Sequence, residues 1–133
     1  MTDSAGNGGR EAVATEEDFS TEEPMGVDVR RSGETSVIRL TGEIDMLTTP
    51  ALRAKVTEEL AAGLSVLVLD MLAVEFLGSS GLALLVEALD ESRNRGVALR
   101  LVADSRPVSR PLQATGLTDL FEIHTTVEDA LAA

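Results

Sequence analysis

The chain has no cysteine, tryptophan or tyrosine, only three phenylalanines and one histidine. Each absence removes a class of chemistry. Without cysteine there is no disulfide, no thiolate metal ligand and no thiol nucleophile. This agrees with a reducing cytoplasm. Three Phe and no Trp or Tyr leave little surface on which bases or sugars could stack. A single His124 cannot furnish an ordinary zinc site, so no metal and no cofactor are expected. Basic residues are scarce too: 11 Lys and Arg stand against 23 Asp and Glu, a net charge of −12. That balance disfavours nucleic acid and anionic membrane surfaces. It serves solubility first and a basic protein partner second. No apolar run approaches the ~20 residues of a membrane helix.

A length of 133 residues fits one domain. Residues 1–24, MTDSAGNGGREAVATEEDFSTEEP, are rich in Gly, Ser, Thr and Glu and offer little to bury. They predict a disordered acidic tail, without the basic start and apolar run of a signal peptide. Residues 25–133 remain for a single modest core.

Within them, VDVRRSGETSVIRLTG (27–42) reads as two short strands joined by a turn at Ser-Gly-Glu. Residues 50–62 read as a helix, with Thr49 as cap, Pro50 at the first position and Leu52, Val56 and Leu60 on one face. SVLVLDM (65–71) reads as a strand buried on both faces, which puts Asp70 at its end, in the setting of a turn residue. A helix over residues 80–95 follows, with Leu82, Leu85, Val86 and Leu89 facing the core and Gly96 ending it. VALRLVA (97–103) is a further strand. Pro111 predicts that the next helix starts near Ser109 or Arg110. LFEIH (120–124) is a last short strand, and Thr125 with Glu128 has the spacing of a capping box for a last helix. The order ββαβαβαβα predicts an α/β domain: a mixed, mostly parallel sheet of about five strands with about four helices.

Hydrolase motifs do not fit. A nucleophile elbow needs glycine two residues before and after its serine, a spacing that neither Ser79 nor Ser80 has. His124, near the end of a short strand, reads as an ordinary strand residue, so no triad is expected. No glycine-rich loop ends in Lys-Ser or Lys-Thr. No catalytic residue is therefore assigned, and an enzyme is the least favoured class. The Gly78-Ser79-Ser80-Gly81 corner stands out instead. Its glycines permit a tight passage from strand to helix. Its serines have two readings: a helix cap, or a hydroxyl placed to receive a phosphate where the helix dipole favours negative charge.

VIRLTGEID (37–45), VLVLDMLAVEFLGSSGLALLVEA (66–88) and RPLQATGLTDLFEIHTTVEDAL (110–131) together resemble the STAS domain of bacterial anti-sigma factor antagonists. The resemblance covers about residues 25–133. It implies a non-enzymatic, cytoplasmic regulator, monomeric when free, that binds an anti-sigma factor of the serine-kinase type and so releases a sigma factor. It also implies that phosphorylation of Ser79 breaks this complex and that a serine phosphatase resets it. The expected partner surface is Asp45, Gly78, Ser79, Ser80 and Gly81. The family pattern is Asp-Ser-Ser/Thr-Gly, and Gly78 stands where that Asp would be. Ser79 is then phosphorylated, controlled otherwise, or left unmodified in a chain always competent to bind. Asp45 matches the acid of the family's first loop and reads equally as a turn acid. The alternative is a STAS module of another regulatory or transport assembly.

Overall fold

The computed structural model describes residues 25–133. The expectation for residues 1–24 lies outside the described residues. Ten elements follow in order: β1 (Met25–Ser32), β2 (Thr35–Ile44), α1 (Thr49–Leu60), β3 (Val66–Leu77), α2 (Ser79–Arg95), β4 (Ala98–Val102), α3 (Arg106–Ala114), a 3₁₀ turn (Thr118–Leu120), β5 (Glu122–His124) and α4 (Val127–Ala132). The strands lie in the order β1-β2-β3-β4-β5. β1 and β2 are antiparallel, turning at Gly33 with its φ of 61°, and the remaining pairs are parallel. This is the mixed α/β sheet that the order of elements predicts.

Strand alternation sorts the core into two layers. Leu67, Leu69 and Met71 of β3 face one side, where they meet Leu52, Val56 and Leu60 of α1, Leu85 and Leu89 of α2, and Val108 and Leu112 of α3. Val68 faces the other side, in a small cluster with Val102 and Ala130 of α4. Among the described residues three helices thus cover one face of the sheet and only α4 covers the other.

An ion pair between exposed Arg31 and buried Glu59 ties α1 to the hairpin. Both Glu59 oxygens lie 2.8 Å from the Arg31 guanidinium, and Ser36 donates to one of them at 2.8 Å. Burial pushes the Glu59 carboxyl up. The hydrogen bonds from Arg31 and Ser36 and the charges of Arg31 and Lys55 outweigh it, so its pKa falls below the ordinary glutamate value.

Several boundaries differ from expectation, each for a local reason. β3 runs six residues past Met71, so Asp70 is not at a strand end. It sits at a register shift in mid-strand, buried, and its Oδ1 accepts from the Leu72 amide at 3.1 Å. α3 begins at Arg106, with Pro107 in its first turn and Pro111 inside it. Proline there forfeits one backbone bond but leaves Val108 and Leu112 buried. The cap of α4 is Thr126, whose Oγ1 accepts from Asp129 N at 3.0 Å, one residue on from the expected Thr125 and Glu128. The cap position of α1 is Thr48 rather than Thr49. On α2 the core-facing set includes Leu84 and Ala88, whereas Val86 is exposed.

Candidate partner-binding site

The ends of β2 and β3 bring two short segments together. Glu43 is in register with Phe76 and Ile44 with Leu77. One further bond, from Gly78 N to Ile44 O at 2.9 Å, joins the strand ends. The residues that follow, Asp45 and Ser79, therefore leave the sheet side by side. The structure brings together all five expected site residues: Asp45, Gly78, Ser79, Ser80 and Gly81.

The two glycines do different work. Gly78 has φ −88° and ψ −178°, extended backbone open to any residue, so the corner does not demand glycine there. A Cβ at 78 would come within 3.1 Å of the Phe76 ring, which is half exposed and free to turn. At Gly81 a Cβ would meet Leu77 Cδ1 at 2.6 Å and Ile44 Cγ2 at 2.7 Å. Gly81 is required because the first turn of α2 presses on the strand ends.

Neither serine caps α2. The N-cap is Gly78, which makes no side-chain bond to the helix. The first intrahelical bond, from Leu82 N to Gly78 O, is 3.0 Å. Ser79 is exposed and Ser80 half-buried. Helix geometry leaves the first-turn amides without intrahelical acceptors. Ser79 thus presents its hydroxyl to solvent at the positive end of a 17-residue helix.

Asp45 does turn work. Its Oδ1 accepts from Leu47 N at 2.9 Å and from Thr48 N at 3.1 Å. The Thr48 hydroxyl donates to the Glu43 carbonyl at 2.9 Å and accepts from Asp45 N at 2.9 Å. This closed set of bonds, an Asx turn, holds the loop in one shape. Met46 and Leu47, which the sequence reading passed over, project from it. Their signal is exposure, visible only once the chain is folded.

His124 lies on β5, two strands from β3, and bonds to Glu122. It is placed as a strand residue and not beside Ser79. A groove of about 640 Å³ opens on the opposite face of the sheet, between the hairpin and α4, with Arg30, Arg39 and Asp70 among its walls. It takes no part in the Ser79 corner, none of whose residues line it. Among the described residues no helix is long and apolar enough to cross a membrane.

Comparison with known proteins agrees with this fold. The STAS domain family model matches residues 26–130. The anti-sigma-F factor antagonist RsfB of Mycobacterium tuberculosis is 36% identical over 113 residues, 85% of this chain and 92% of that protein. The crystal structure of an anti-sigma factor antagonist from Mycobacterium paratuberculosis superposes with a TM-score of 0.77 at 34% identity, covering 86% of this chain and 97% of the other. The Bacillus cell fate determinant SpoIIAA, solved in its phosphorylated form, shares the fold with a TM-score of 0.64 at 24% identity, over 80% of this chain and 97% of that one.

Proposed function

The chain belongs to the STAS-domain family, and on that footing we propose that it is an anti-sigma factor antagonist switched at Ser79. The unmodified corner and the Asp45 loop dock on an anti-sigma factor, which then lets go of its sigma factor. The partner is of the serine-kinase type. Its ATP donates the γ-phosphoryl group to Ser79 Oγ, the hydroxyl proton leaves, and ADP is the second product. A serine phosphatase restores the hydroxyl by hydrolysis. The free antagonist works as a cytoplasmic monomer.

The observation that carries this reading is the exposed, non-capping Ser79 hydroxyl at the mouth of α2. A phosphate there adds a charge of about −1.5 to −2. The first-turn amides and the helix dipole accommodate it, so the domain stays folded. An interface pressed against the same hydroxyl would have to desolvate that charge, so the complex is released. The phosphorylated form of SpoIIAA, which shares the fold, lends the reading support.

Gly78 favours one further reading, an antagonist that is never phosphorylated, since the acid of the family pattern is missing beside Ser79. One experiment separates them. The protein is incubated with purified kinase-type anti-sigma factors of the source organism and ATP, and the phosphate is mapped by mass spectrometry. A single phosphate on Ser79 is expected. A complex that forms without any phosphate would identify a constitutive antagonist. Absence of any complex would assign the chain to another STAS assembly.

A further inference from the structure

Among the exposed large apolar side chains of the described residues, Met46 and Leu47 stand apart. They are 77% and 85% exposed, whereas the next, Phe76, is 51%. Folding does not explain them, since they bury almost nothing. Nor are they a loose loop tip. The Asx turn at Asp45 fixes the backbone on both sides, and Thr48 and Thr49 immediately after are buried. An ordered turn that holds two apolar side chains in water has already met most of the entropy cost of presenting them.

We propose that Met46 and Leu47 are the anchor by which this chain selects its partner, and that they enter an apolar cleft on the anti-sigma factor. Asp45 is a positioning residue: it shapes the turn and does not itself make the contact. The inference rests on the antagonist reading and deepens it. Phe76, also exposed, sets apolar surface next to Ser79, because its ring lies against Gly78, the residue before that serine. A phosphate on Ser79 then borders an apolar contact. Its desolvation alone opposes the complex, with no acidic partner surface needed.

A second copy of this chain is the weaker occupant. Two copies each bring a net charge of −12, and two or three side chains fall far short of the roughly 1,200 Å² of a stable dimer. A heterologous cleft needs only a small central anchor, as interface hot spots are small.

The test is titration of the purified full-length chain against the source organism's anti-sigma factors and the anti-sigma-F factor of Mycobacterium tuberculosis. Met46→Ser and Leu47→Ser should each weaken binding at least tenfold, and the double substitution about a hundredfold. The melting temperature should stay at the wild-type value, because neither side chain is packed. Asp45→Ala should weaken binding by loss of the turn. Asp45→Asn, which keeps an Oδ1 acceptor, should restore it, and a charge contact would not be restored. Equal binding by wild type and the double variant would overturn the anchor and leave the antagonist reading standing. Binding of none of these factors by the wild type would instead overturn the antagonist reading, and the anchor with it. A wild-type dimer that the double substitution dissociates would assign the pair to self-association and overturn the anchor.

Discussion

Helices α2 and α4 both begin beside hydroxyl side chains, yet only α4 uses one as its cap. α4 has six residues and buries only Ala130, so it depends on the bond from Asp129 N to Thr126. α2 has seventeen residues and buries seven of them, among them Leu82, Leu84, Leu85 and Leu89. Packing holds α2, and its mouth is left without a side-chain cap. A short helix depends on its cap, because an isolated turn is costly to nucleate. A long, well-buried helix is released from that need. The serines of α2 are therefore free for other work, whereas Thr126 is not.

The sharpest way to test this contrast is to attack the packing of α2. Leu85→Asp should unfold the domain, since an unpaired charge at a site 2% exposed costs on the order of 4 kcal/mol or more. Val86→Asp, one residue on, should change stability by no more than about 0.5 kcal/mol, because Val86 faces solvent. Thermal melts of the two variants make the comparison. Equal losses would mean that packing does not hold α2 as described.

α1 also lacks a side-chain cap, and it is held in part by Glu59. Glu59→Ala should cost about 1–3 kcal/mol, because Ser36 loses its acceptor in the interior. The pH dependence has a fixed sign. The folded-state pKa of Glu59 lies below the ordinary glutamate value, so its stabilising contribution is complete above that ordinary value. It is lost as the pH falls through the lower folded-state value. Urea titrations at neutral and acidic pH should show a flatter acid limb for Glu59→Gln than for wild type. Parallel acid limbs would contradict the assignment.

A smaller effect separates the two helix mouths directly. Thr126→Ala should cost about 1 kcal/mol and speed amide exchange in α4. Ser79→Ala should leave stability within about 0.5 kcal/mol of wild type. A loss at Ser79 equal to that at Thr126 would make the two mouths alike.

Much of the fold could be read from the sequence because apolar spacing encodes it. Leu82, Leu85 and Leu89 repeat at helical intervals, and all three are buried. Gly96 ends α2 with φ of 70°, as its position after the last turn implies. Val86 misled because it falls on the edge of the apolar stripe, where spacing does not decide exposure. The second half of β3 was hidden because Leu72, Val74 and Phe76 alternate with polar or small residues beside a glycine corner, and a loop has the same look. Pro111 misled because the rule against proline in helices is one of energy, and the burial of Val108 and Leu112 overrides it. In the site, Asp45 and the Ser79 corner could be placed from the motif. Their adjacency, the turn that Asp45 builds and the exposure of Met46 and Leu47 depend on the Ile44–Gly78 contact, which is tertiary and leaves no local signature.

The central claim is that the Ser79 hydroxyl is free of structural work and acts as a switch. Titration calorimetry of the anti-sigma factor against wild type, Ser79→Ala and Ser79→Glu, with a melting temperature for each, tests it most directly. The prediction is three matching melting temperatures, with Ser79→Ala binding at least as tightly as wild type. Ser79→Glu should bind about tenfold or more weakly, a partial effect, because glutamate carries less charge than phosphate. Equal affinities for all three proteins, together with a lowered melting temperature for Ser79→Ala, would contradict the claim and make the serine a cap.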